Sequence, residues 1–183
     1  MLRIVCLQQG NYCGRGTEYV NVLYDAVSRN LAEGMAGVFE CFTDQPEGLA
    51  PGIVARPLPA PGAPGWWGKL GLFRAGLWPE GDRVLLFDLD TLIEGAIEEL
   101  ATYAGPFAAL EDFYRPGGLQ SSVMAWPARF RPGRHTCWNG ARTTADPSSV
   151  TTASSPRERM KTCSVACTLP TSVAPAGMVM VRA

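Results

Sequence analysis

The amino-acid sequence predicts an α/β protein built on a mostly parallel, doubly wound sheet. Three observations carry this reading. Short apolar runs at residues 2–7 (LRIVCL), 38–43 (VFECFT) and 83–87 (RVLLF) each give way to polar or acidic residues, as buried parallel strands do. A segment with helical periodicity separates the first two runs. Loops rich in Gly and Pro separate the later elements, and strands alternating with helices argue for parallel pairing.

Residues 2–7 form the first strand, and a polar, Gly-containing loop runs from 8 to 16. Thr17 is placed to cap the next helix. In that helix Tyr19, Val20, Leu23, Val27 and Leu31 recur on one face, and Gly34 suits its end. Residues 38–43 make the second strand, ending at Asp44, and residues 53–58 a weaker third. A Pro/Gly loop over 57–65 opens into 66–73 (WWGKLGLF), a short helix despite its glycines. Residues 79–82 (PEGD) read as a turn into the strand 83–87. A short helical stretch at 97–100 and strands at 107–110 and 122–126 complete the pattern.

Composition sets the limits. The chain has 183 residues and a net charge of −1, enough for one core and with no electrostatic case for nucleic acid. No apolar stretch approaches the ~20 residues of a membrane span. The six cysteines are scattered, and Cys6 and Cys41 sit inside strand-like runs, which favours reduced, buried thiols and a cytoplasmic location. The average conceals a break. Residues 1–130 carry 9 basic and 15 acidic side chains, whereas residues 131–183 carry 7 and 2. After Phe130 there is no Phe, Tyr or Ile, and Leu169 is the only Leu. The division is a folded domain at 1–130 and a Thr/Ser/Pro/Arg-rich tail at 131–183 that buries little.

The chemistry concentrates at Asp88 and Asp90. In extended backbone, residues two apart point the same way, so both carboxylates can face one site at the end of the sheet. Such a pair suits a hard divalent cation, which in turn suits a phosphate. The simpler alternative is a strand-end pair that caps a helix or sits in water. Other candidates surround it. Tyr12 could stack on a base or plug its own loop, and Asp44 could bind a base edge or ribose, or cap a turn. Lys69 could contact phosphate or pair with an acid near the metal. Gln120, Ser121 and Ser122 could bond sugar hydroxyls, and Glu111 or Asp112 could reach a substrate. Trp66 and Trp67 could floor a sugar site, although such pairs more often pack in a core.

Two known patterns compete for this stretch. Haloacid-dehalogenase-type phosphatases carry Asp-x-Asp-Gly-Thr, the first Asp being a nucleophile. Here Thr91 follows Asp90 directly, the Gly is missing, and the motif is not on the first strand. The order Lys69-Leu70, Phe73, then residues 83–93 (RVLLFDLDTLI) instead resembles retaining glycosyltransferases of the glycogenin and galactosyltransferase type, family 8. Residues 2–12, 41–44 (CFTD) and 119–124 (LQSSVM) resemble further parts of the same family. The resemblance implies a GT-A-like (Rossmann-like) fold and a metal-dependent transfer of sugar from a nucleotide-diphosphate donor to an unknown acceptor. It also implies Mn2+ (or Mg2+) on Asp88 and Asp90, with donor contacts from Tyr12, Asp44, Lys69, Asp88, Gln120, Ser121 and Ser122. The alternatives are a phosphatase using Asp88, or a non-enzymatic nucleotide-binding remnant.

The family completes its metal site with a histidine far downstream. His135, the only histidine, comes too early and lacks matching surroundings, so that role is not carried over. Cys163 and Cys167 have no partner pair for zinc. The tail begins where the family continues with further helices and its last ligand. It reads as a linker or regulatory tail, or as the product of a reading frame that slips near residue 130. The expectation is a fold incomplete at its C-terminus: a frameshifted, truncated transferase whose metal is held weakly and whose turnover is slow or absent.

Overall fold

The computed structural model describes residues 1–112, 114–115, 118–130 and 180–181. Apart from residues 180–181, the tail at 131–183 lies outside these, and so do His135, Cys163 and Cys167.

Six strands form one sheet. In chain order β1 is Leu2–Gln8, β2 Gly37–Thr43, β3 Ile53–Arg56 and β4 Arg83–Phe87; β6 is Ala108–Glu111 and β7 Leu119–Pro127. The spatial order is β3-β2-β1-β4-β7-β6. β1 to β4 are mutually parallel, and β7 alone runs antiparallel, against both β4 and β6. A second, two-stranded sheet pairs β5 (Leu92–Ile93) in parallel with β8 (Met180–Val181). The architecture is therefore α/β with a mostly parallel sheet, as the alternation of runs predicts. From β1 the chain winds outward through β2 to β3, then crosses back to place β4 on the other side of β1. The carboxyl ends of β1 and β4 flank a topological switch point, where open α/β sheets bind ligands.

Both faces of the sheet are covered. Alternate residues of the central strands (Ile4, Cys6, Cys41, Leu85, Phe87, Val123) pack with Val20, Leu23 and Val27 of helix α1 (Gly16–Asn30) and with Ala101 of the short helix α2 (Glu98–Ala101). The intervening residues (Val5, Phe42, Val84, Leu86, Met124, Trp126) pack with Leu72, Phe73, Trp78 and Phe107. This period-two division is why the runs are apolar throughout instead of alternating. Cys6 and Cys41 are register partners, fully buried and free. Burial, then the neighbouring Cys41, pushes the Cys6 thiol up, which keeps it protonated and inert.

Four local expectations are corrected. Thr17 does not cap α1. The helix starts one residue earlier, and Thr17 Oγ1 donates instead to the Glu47 carbonyl at 3.2 Å. The helix ends at Asn30, with Leu31 already extended and its N–H on the Val27 carbonyl. The third strand stops at Arg56, because Pro57 has no N–H to offer a ladder. The stretch from Trp66 to Phe73 is helical, but as a 3-10 helix over Gly65–Phe73.

Candidate functional site

The first loop, the end of β2, the end of β4 and the start of β7 meet at one edge of the sheet. Asp88 follows β4 directly, and its N–H donates to the Ser122 carbonyl of β7 at 2.8 Å. That bond ends the β4–β7 ladder and fixes where the carboxylate starts. Lys69, from the 3-10 helix, places Nζ 2.6 Å from each Asp88 carboxylate oxygen. The same ammonium donates to Ser121 Oγ at 3.2 Å. On the other side of the motif, the Tyr12 hydroxyl donates a long bond of 3.4 Å to Asp90 Oδ2. Lys69, Asp88 and Ser121 are thus joined by direct bonds, while Tyr12 bonds Asp90; Asp88 to Thr91 is a turn closed by the Thr91 N–H on the Asp88 carbonyl at 3.0 Å, not the extended backbone the sequence suggested.

The electrostatics of the pair are asymmetric. Burial raises the Asp88 carboxyl to about 6; Lys69 pulls it down and the charge on Asp90 adds to the rise. Burial also raises the Tyr12 phenol, helped by Asp90, so Tyr12 remains a neutral hydrogen-bond donor. Two carboxylates in such a place are a hard-oxygen donor set that fits a small divalent cation. Lys69 already supplies one positive charge to that set. Among the described residues, no group of three or more His, Cys, Asp and Glu side chains converges as a metal cluster.

The remaining candidates have other partners. Asp44 is exposed, and its Oδ1 accepts the Gly10 N–H at 2.8 Å, so it pins the first loop. Gln120 and Ser122 bond to each other, Ser122 Oγ donating to Gln120 Oε1 at 2.9 Å. Gln120 Nε2 also reaches the Glu111 carbonyl at 3.4 Å. Asp112 caps its own turn, accepting the Tyr114 N–H at 2.9 Å. Trp66 and Trp67 do not join the core: they are 53% and 36% exposed and stack on each other.

Sequence reasoning missed the parts that shape the first loop. Gln8, the fully buried last residue of β1, donates from Nε2 to the Gly10 carbonyl at 3.2 Å and accepts from Thr43 Oγ1 at 3.1 Å. Asn11 Oδ1 accepts the Gly16 N–H at 3.3 Å. Gly10 has φ +61, a left-handed conformation that glycine adopts without strain. The available signal was a glutamine closing an apolar strand, since a buried amide must find partners nearby.

The fold and this edge define a Rossmann-like α/β protein with two carboxylates, Asp88 and Asp90, at its switch point. Among solved structures the chain is similar to the galactosyltransferase LgtC in complex with donor and acceptor sugar analogs. That match has a TM-score of 0.50 and 15% identity over 69% of this chain and 58% of LgtC. An active-site mutant of LgtC, Q189E, matches equally well over 57% of its length. The bifunctional glycosyltransferase WbbM matches with a TM-score of 0.52 and 12% identity, over 70% of this chain and 31% of WbbM. The chain therefore spans less than two thirds of each of these glycosyltransferases and shares their fold. No protein-family model matches the sequence, and no curated protein does. No helix among the described residues is long and apolar enough to cross a membrane.

Proposed function

We propose that the protein is a metal-dependent glycosyltransferase that moves a sugar from a nucleoside-diphosphate donor to an acceptor. The observation that carries this reading is the Lys69–Asp88–Asp90 constellation at the switch point of a fold shared with glycosyltransferases. Asp88 and Asp90 would hold Mn2+ or Mg2+, which when bound offsets negative charge on a diphosphate leaving group.

The chain's own residues supply the rest. Lys69 is a second cation beside the carboxylates, with its ammonium shared between Asp88 and Ser121. A diphosphate arriving there would compete with Asp88 for the same protons, so Lys69 can turn to the phosphate as charge develops on it. Tyr12, held edge-on to Tyr19 at 5.4 Å, presents a ring beside the first loop for a base or ribose. Asp44 and Gln8 act one step back, keeping that loop in place through Gly10. The Asp88 backbone bond to β7 resists movement of the carboxylate when ligands load.

Calorimetry with UDP and with GDP, with and without Mn2+, tests the reading on the wild type and on Asp90→Ala. The expected result is nucleotide binding that requires metal and is lost in the variant. Binding that ignores metal, or no binding of either nucleotide, would sink it.

A further inference from the structure

Lys69 stands where a cation held by Asp88 would sit. Its Nζ lies 2.6 Å from Oδ2 and 2.6 Å from Oδ1, so both carboxylate oxygens already meet one ammonium. The pair is largely shielded from water, with side-chain exposures of 12% for Lys69 and 23% for Asp88. The ammonium has a third partner in Ser121 Oγ at 3.2 Å. Asp90 accepts from an uncharged donor instead, the Tyr12 hydroxyl at 3.4 Å. The 3-10 helix does not need the Lys69 bridge to stay in place. Leu72 and Phe73 bury that helix in the core, and the Trp78 indole N–H donates to the Leu72 carbonyl at 2.7 Å. The backbone of Lys69 is therefore fixed by its neighbours, while the flexible stem lets the ammonium change partners.

We infer that Lys69 is an internal counter-cation that keeps Asp88 closed to a free divalent cation until a diphosphate draws the ammonium away. The release by a diphosphate rests on the transferase reading above; the block itself does not. Charge orders the events. For a divalent cation arriving alone, Asp88 is an acid already neutralised, and two like charges would have to share it, which is unfavourable. Asp90 is then the one acid of the pair left open, and hard cations are held by several oxygens. A diphosphate offers the ammonium a second anionic partner. Lys69 can exchange one for the other, and both Asp88 oxygens come free. Ser121 holds a proton of the ammonium during that exchange. Donor and metal therefore enter as a coupled pair, and by linkage each tightens the other by the same factor. Lys69 supplies part of that factor, and the site does not fill with metal while no donor is present.

Calorimetry with Mn2+ alone, on the full chain as wild type, Lys69→Gln and Lys69→Arg, tests the inference. At about pH 8 the Asp88 carboxyl, raised to about 6 by burial, is ionised. UDP is titrated into the same samples with and without Mn2+. Lys69→Gln should bind Mn2+ alone about 10-fold more tightly than wild type, because the competing charge is gone. Lys69→Arg keeps the charge and grips a carboxylate at least as firmly, so it should bind Mn2+ alone no more tightly than wild type. The factor by which Mn2+ tightens UDP should be larger in wild type than in Lys69→Gln. An ion pair that only braces the site predicts the reverse, with Mn2+ binding weakened in Lys69→Gln. No gain in Lys69→Gln, or a gain in Lys69→Arg, overturns the counter-cation, and the arginine arm decides even where the glutamine variant does not fold. Metal-dependent UDP binding in wild type, with no gain in Lys69→Gln, removes the counter-cation and leaves the transferase reading standing. A gain in Lys69→Gln without UDP binding to any of the three keeps Lys69 as the block on a cation site and removes the transferase reading instead.

Discussion

Two carboxylates bracket strand β4, and they live in opposite ways. Asp82, just before the strand, is buried and accepts 2.6 Å from Arg3 Nε and 2.9 Å from the N-terminal ammonium. Burial alone would raise its carboxyl, but the bonds and charges of these two cations outweigh it and hold the group below the usual carboxylate range. Asp88, just after the strand, has one cation and an acidic neighbour, and burial wins. Arg3 also donates at 2.8 Å to the buried Glu40, so on the amino side one guanidinium bridges two acids. The carboxyl side is different: Lys69 pairs with Asp88, and Asp90 accepts a long bond from the Tyr12 hydroxyl. Perturbed carboxylates cluster at functional sites, which is the bearing of this contrast on the proposed cation site.

The largest effect expected from this contrast is on stability. Asp82→Asn takes one acid from two cations, leaving Arg3 with Glu40 alone and the N-terminal ammonium without its acid, and should destabilise the fold by about 2–3 kcal/mol. Asp88→Asn removes a charge that burial already disfavours, offset by the lost bond to Lys69, and should change stability by less than about 1 kcal/mol. Urea melts of the two variants check the ordering. If Asp88→Asn proves the more damaging, the carboxyl end is a structural cluster and the contrast collapses.

Acid titration sharpens the same point. The folded-state Asp82 value lies below the unfolded one. Its contribution is therefore complete above the unfolded carboxylate range, near pH 4, and is lost as the pH falls through the folded value. Wild type should lose stability steeply below about pH 4, and Asp82→Asn should show a shallower slope there. Equal slopes would mean that Arg3 does not hold the charge in solution.

The framework is legible in the sequence because each central strand buries both faces and therefore reads as an unbroken apolar run. The same logic locates Asp88 and Asp90, since an acid inside such a run needs a buried partner, as Glu40 has in Arg3, and otherwise marks its end. Lys69 is legible only through its place in a matched segment; its bond to Asp88 spans 19 residues, and no local periodicity encodes it. Gln8, Thr43 and Asn11 escape a sequence reading because their partners are backbone atoms and neighbours across strands, visible only once the β1–β2 register is set. Residue type alone favours a core position for the tryptophans. Gly71 lets the 3-10 helix lie against the Pro59 backbone, where a Cβ would collide, and Trp66 at the other end of that helix is exposed.

The loop that carries Tyr12 offers a smaller test. A Cβ on Gly16 would collide with the Gln8 amide. Gln8 could yield only by giving up its bonds to Gly10 and Thr43. Gly16→Ala should cost about 1–3 kcal/mol, the range for overpacking a filled position. Nucleotide affinity should fall with it, because the loop that carries Tyr12 shifts. A variant that melts lower yet binds UDP as tightly as wild type would separate the loop from the site.

The smallest effect separates the two uses of Tyr12. Its hydroxyl reaches Asp90 only at 3.4 Å, near the limit at which a hydroxyl bond still counts. Its ring meets Tyr19 edge-on at 5.4 Å, a contact worth about 0.5–1.5 kcal/mol. Tyr12→Phe should therefore leave thermal stability within about 0.5 kcal/mol of wild type. Tyr12→Ala, which also removes the ring, should lose the aromatic contact and any stacking on a base. If Tyr12→Phe alone abolished metal-dependent nucleotide binding, the hydroxyl would be positioning Asp90 for the cation. The carboxyl edge would then be organised by Tyr12 as tightly as the amino edge is by Arg3.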